Sequence, residues 1–125
     1  MKKLFFIILT ILSTSVYAEW EMLGESSDGS VYYVDFDRIK KHDGFIYYWW
    51  LTDLSKPDKD GDLSYKSYNQ ADCSIFRIKQ LSGSYHKTQM GVGRGQELKF
   101  PDEWKYPTPG SYIETILNEV CLRSK

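Results

Sequence analysis

Seven consecutive residues, Phe45 to Leu51, read FIYYWWL, and no other stretch restricts the fold as strongly. It is the clearest strand signal in the chain, built from aromatic and aliphatic side chains that suit a pleated sheet. Side chains alternate along a strand, so Phe45, Tyr47, Trp49 and Leu51 point one way and Ile46, Tyr48 and Trp50 the other. Apolarity on both sides leaves two arrangements. Either both faces of this strand are covered, or one face is buried and the other is an exposed aromatic surface fit for binding. Core packing is the commoner use of such residues, so cover on both sides is the expectation.

The remaining strand signals surround that element. Trp20 to Gly24 opens as a short strand, Ser26 to Ser30 is a turn around Asp28-Gly29, and Val31 to Asp35 returns. Phe36 to Ile39 makes a single turn, and His42-Asp43-Gly44 turns the chain into Phe45. Ser55 to Asp62 is a polar loop, Leu63 to Ala71 a strand, and Cys73 to Leu81 alternates as another. Ser82-Gly83-Ser84 reads as a turn into Tyr85 to Met90, Gly91 to Gly95 as a flexible connector, and Glu97 to Tyr106 as irregular. Pro101, Pro107 and Pro109 keep that last stretch extended. Ser111-Tyr112-Ile113-Glu114 is a capping box, and Ile113, Ile116, Leu117, Val120 and Cys121 then share one helical face. The expected class is α+β: an antiparallel meander of about six strands with one C-terminal helix packed on it.

The N-terminus sets the compartment. Lys2 and Lys3 precede the uncharged, mostly apolar run Leu4 to Val16, and Val16-Tyr17-Ala18 places small residues where a signal peptidase cuts. Residues 1–18 are therefore read as a secretory signal cleaved after Ala18, and 19–125 as one β-rich domain. The apolar run falls short of the roughly 20 residues of a membrane-spanning helix, so no integral span is expected after cleavage. No cysteine lies near the cut to accept a lipid. Of the chain's 16 basic residues the leader removes two and none of its 17 acids, leaving a net charge of −3. That mild acidity gives no electrostatic reason to bind nucleic acid. In an oxidising compartment the two cysteines, Cys73 and Cys121, read as a disulfide. It would close a loop of about 49 residues, worth roughly 4 kcal/mol in the chain-entropy model.

No pattern assembles a catalytic or cofactor site. Asp58-Lys59-Asp60-Gly61-Asp62 opens like a calcium loop, but Leu63 stands where the sharp turn needs glycine and Asn69 where the bidentate glutamate belongs. A solvated acidic turn is expected there, with no metal and no cofactor. Gly91 to Gln96 is followed by Glu97 to Pro101 and not by a helix, so it is no phosphate cradle. His42 and His86 are the only histidines and match no zinc spacing, and Asp35, Asp37 and Asp53 are expected in capping and turn roles. A small hydrolase would need His42 or His86 clustered with an acid, together with a serine such as Ser84. Between Lys66 and Lys87, cationic side chains interleave with aromatic ones, a pattern that suits polyanions or protein partners. From this stretch and the connector beyond it, Tyr85, His86, Lys87 and Arg94 are singled out as a protein-binding patch.

Taken in order, several short motifs resemble the surface-adhesin protein E family of Gram-negative bacteria. They are Trp20 with Gly24-Glu25-Ser26, Val31 to Asp35, Trp49/Trp50-Leu51-Thr52-Asp53, Lys66-Ser67, Ala71-Asp72-Cys73, Arg77, Met90-Gly91, Trp104, Pro109-Gly110-Ser111 and Cys121. The resemblance implies an antiparallel sheet with its C-terminal helix tied down by Cys73–Cys121. It also implies a non-enzymatic extracytoplasmic role, in the periplasm or at the cell surface, recognising a host-matrix or envelope protein. The alternative is a periplasmic structural protein that associates with itself, as a homodimer for instance.

Overall fold

The computed structural model describes residues 19–125; the leader and its cleavage point lie outside the described residues. Seven strands form one antiparallel sheet: β1 (Glu21–Glu25), β2 (Val31–Val34), β3 (Lys40–His42), β4 (Phe45–Asp53), β5 (Ser64–Asp72), β6 (Arg77–His86) and β7 (Gln96–Leu98). They run β1-β2-β4-β5-β6-β7, with β3 also paired to β4. One helix, α1 (Tyr112–Arg123), follows.

β4 is the spine. Its C-terminal half pairs with β2 and its N-terminal half with β3, while β5 runs along the whole length of its other edge. β2 and β3 are one edge interrupted by the single turn Phe36–Arg38. Asp35 makes that interruption, because its carboxylate accepts from the Asp37 amide at 3.2 Å. The Asp28-Gly29 and Asp43-Gly44 hairpins form as expected, each with its glycine at positive φ.

Two boundaries depart from the sequence reading. Cys73 to Phe76 is a turn and not the start of a strand. The Asp72 carboxylate accepts from the Ser74 amide and hydroxyl and from the Ile75 amide, and Phe76 adopts φ 62, which together reverse the chain. Ser82-Gly83-Ser84, expected as a turn, lies inside β6. Leu81 is the extra residue of a bulge, since Asn69 pairs with Gln80 and Tyr68 with Ser82. Gly83 is needed because a Cβ there would sit 2.5 Å from the Lys66 carbonyl and 3.1 Å from the Phe100 ring. Merging two expected strands while adding β3 and β7 turns about six into seven.

α1 lies on one face. Ser111 caps it, accepting from the Glu114 amide at 3.3 Å, and the Glu114 carboxylate reaches back to the Gly110 amide at 3.3 Å. Ile116, Leu117 and Val120 are buried against Val34, Tyr48, Trp50, Ala71 and Ile78. Each aliphatic side chain so buried contributes about 1.5–3 kcal/mol. Cys73 and Cys121 are bonded, with Cα atoms 5.8 Å apart, so the turn after β5 holds the third turn of the helix. Arg123 closes the helix end, stacked 4.0 Å over Phe36 and 2.6 Å from Glu21.

Candidate functional site

The face of the sheet opposite α1 is only partly covered. Strand alternation places Tyr33, Phe45, Tyr47, Trp49, Leu51, Lys66, Tyr68, Lys79 and Arg77 on it. Leu51 is fully buried, but Tyr33, Tyr47, Trp49 and Tyr68 are each only half-buried. The rings form a continuous row: Trp49 and Tyr68 lie 4.9 Å apart across the strands, and Tyr47 lies 6.1 Å from Tyr68. β4 thus gives Ile46, Tyr48 and Trp50 to the core, and its other side is largely covered but keeps an aromatic row partly accessible.

Each end of the row is closed by a returning segment. At one end Trp104 packs on Phe45, with Arg77 at 4.1 Å and Lys79 at 4.8 Å over its ring. At the other end residues 87–95 fold back as a strap. Met90 donates its amide to Asp53 at 2.7 Å, Gly91 donates to the Ser64 hydroxyl at 2.9 Å, and that hydroxyl donates to the Thr88 carbonyl at 2.6 Å. Gly91 rides on the Lys66 stem, where a Cβ would come within 2.8 Å. Gly95 lies against the His86 ring so closely that no side chain fits there. The segment expected as a flexible connector is therefore a packed strap, and its glycines are there for close approach as well as for positive φ.

Charge on this face is unevenly compensated. Arg77 is 3.1 Å from Asp72, Lys79 is 2.9 Å from Asp102, and Arg38 is 3.3 Å from Asp35. Lys66 makes no ion pair among the described residues; burial, and then the nearby Arg38, hold its amine below the usual lysine range. Burial pushes the Asp35 carboxyl up, opposed by Arg38.

The four residues singled out from sequence do not form one patch. Tyr85 pairs with Tyr65 on the helix side of the sheet, while His86 pairs with Ser64 on the open side. His86 is 2 % exposed and sits beneath the strap. Burial, then Lys66, push its imidazole below the usual histidine range. Lys87 lies at the root of the strap, 3.0 Å from Asp62 and bonded to the Asp60 carbonyl. Arg94 is exposed at the strap's far end. The aromatic row is not singled out by the sequence reading, because core packing is the commoner use of such residues. Its signal was the FIYYWWL alternation, with Tyr68 as the cross-strand partner of Trp49.

Ser84 Oγ lies 2.7 Å from His86 Nε2. Among the described residues His86 Nδ1 has no hydrogen-bond partner, and the nearby acid Asp62 is engaged by Lys87, so no described carboxylate orients the imidazole as a general base. His42 pairs with Asp43 on an exposed hairpin. Among the described residues, Asp58, Asp60 and Asp62 are the acids close enough to share an ion, within 4.8 Å of one another. The Lys87 ammonium already supplies positive charge to this acidic turn, and Asp58 is also bonded by the Tyr65 hydroxyl.

A family model described as surface-adhesin protein E matches residues 20–122. Crystal structures of Haemophilus influenzae protein E share the fold. One, in crystal form II, has 16 % identity and a TM-score of 0.63, covering 88 % of this chain and 92 % of that one. A selenomethionine form has 14 % identity and a TM-score of 0.64, covering 87 % and 90 %. No curated protein matches the sequence.

Proposed function

Because this chain belongs to the surface-adhesin protein E family, we propose that it is an exported, non-enzymatic module that recognises a protein partner through the open face of its sheet. One observation carries the reading: the half-buried row of Tyr47, Trp49 and Tyr68 is not needed by the helix-covered core. Large aromatic side chains with polar tips are the residues that anchor protein interfaces. In this reading Lys87 and Arg94 lie along the strap at the rim of the surface, His86 sets the strap from beneath, and Tyr85 belongs to the opposite side. The partner is a host-matrix or envelope protein. The site of action is the periplasm or the cell surface, reached with a leader cleaved after Ala18. No described helix is long and apolar enough to cross a membrane.

Immobilised matrix proteins and detergent-solubilised envelope extract, each titrated with the mature chain and with a Trp49→Thr/Tyr68→Thr variant, test the reading. Saturable binding that the double variant loses, with protease shaving of intact cells to fix the compartment, is the expected result. No saturable partner, or a variant that binds undiminished, overturns it. The same rings also suit a second copy of the chain, the structural alternative. Sedimentation that changes with concentration, and that the double variant abolishes, would favour that alternative.

A further inference from the structure

The cations around the aromatic row are not all neutralised. Arg38, Arg77 and Lys79 each face an acid. Two lysines do not. Lys40 pairs with Tyr47 and Lys66 with Leu51, so both side chains leave the sheet on the open side, with the row between them. Lys40 is exposed and Lys66 half-buried. Neither makes an ion pair among the described residues.

An ammonium drawn out of water without a counter-ion is unfavourable. Lys66 is the clearer case. Gly91 of the strap packs on its stem. Burial, and then Arg38, both disfavour its charge, and no acid offsets them. The acids on this side of the sheet are committed or remote. Asp53 accepts from the Met90 amide, and Asp35 faces Arg38. Glu25 lies opposite Val31 on β1 and Glu97 opposite Ser84 on β7, at the two outer strands. A carboxylate brought by a partner would relieve what the chain itself leaves uncompensated.

We propose that the open face takes an acidic, extended peptide segment of the pattern acid-x-aromatic-x-acid: one carboxylate meets Lys40, the other meets Lys66, and the ring between them lies on Trp49 and Tyr68. The inference rests on the open-face reading and adds the chemistry of the partner. Spacing supports the pattern. Tyr47 and Leu51 are four residues apart on β4, a rise of about 13 Å. In an extended segment the side chains of residues i, i+2 and i+4 share one side, and the outer two stand apart by the same rise. Because β3 and β5 flank β4, the lysines are also about 10 Å apart across the sheet. The long stems of lysine and of an acidic partner residue close that gap. The ring supplies the affinity, and the charged pairs at either end fix the register and reject basic segments.

The test uses the mature chain and a blocked peptide, Ser-Glu-Thr-Phe-Thr-Glu-Ser, followed by amide chemical shifts. Saturable shifts on β3, β4 and β5 are expected, with about tenfold weaker binding when the peptide's glutamates are glutamines or its phenylalanine is alanine. A Lys40→Met/Lys66→Met variant keeps both stems and removes both charges. It is expected to bind about tenfold more weakly while holding or raising Tm. No saturable shift at millimolar peptide, shifts elsewhere on the molecule, or undiminished binding by the lysine variant would each overturn the proposal. Equal binding of the glutamine peptide would overturn it too; if the Trp49→Thr/Tyr68→Thr variant loses that binding, the open-face reading stands and only the acidic partner falls. Tighter, lysine-dependent capture of a heparin fragment than of the peptide would assign the two amines to a polyanion and likewise overturn it. Peptide binding as expected, with no saturable matrix or envelope protein, would uphold the acid-selective surface and remove the host-matrix or envelope partner.

Discussion

Two strand glycines of this sheet should respond to the same substitution with opposite sign. At Gly83 an added Cβ sits 2.5 Å from the Lys66 carbonyl oxygen and 3.1 Å from the Phe100 ring. An ordinary carbon–oxygen contact is about 3.3 Å, so β5 and β6 must separate by about 0.8 Å. The obstacle is backbone held in a ladder on both sides, which cannot swing away as a side chain would. Overpacking of this kind costs about 1–3 kcal/mol. Replacing glycine returns about 0.4–1 kcal/mol through the unfolded chain, so Gly83→Ala should lose about 1–2 kcal/mol net and about 5–12 °C in Tm. At Gly24 the added methyl meets nothing within 4 Å, leaving only the unfolded-state gain, and Gly24→Ala should rise by about 2–5 °C. Urea titrations with matched slopes, alongside thermal melts, read both effects. A neutral or stabilised Gly83→Ala, or a loss at Gly24 equal to that at Gly83, would refute the close-approach argument.

Two further outcomes are expected. Replacing Cys73 and Cys121 together by alanine should cost about 4 kcal/mol in the chain-entropy model, seen as a fall in urea midpoint that reductant reproduces in the parent; a loss under about 1 kcal/mol would show that helix packing alone fixes α1. The imidazole of His86 titrates lower folded than unfolded, so the unfolded chain binds the proton first. Stability from this group is present above about pH 6.5 and declines as pH falls through and below that value. A His86→Gln variant should flatten that limb of the melting profile, and an unchanged slope would contradict it.

The helix was legible because its signals were local: a capping box and apolar residues at helical spacing, all within Ser111 to Cys121. The disulfide was legible because two cysteines permit one pairing. Ser82-Gly83-Ser84 misled because its small polar residues mimic a turn, whereas the true reason for Gly83 is the carbonyl of Lys66 on a neighbouring strand. Cys73 to Phe76 misled in the opposite way, since apolar alternation persists through a reversal imposed by the Asp72 carboxylate. At the site, adjacent residues of a strand such as Tyr85 and His86 must face apart, so that part was readable in principle. That residues 87–95 return over Lys66 and His86 was not, because the glycines that permit it look like those of any loose loop.

A helix resting on one side of β4 divides the labour of that strand by parity. Tyr48 and Trp50 are fixed by the interior they fill, while Tyr47 and Trp49 lie on the other side, partly accessible and packed on Tyr68. Substitutions at Tyr47 and Trp49 should therefore change the character of that side of the sheet while leaving the helix-covered interior intact.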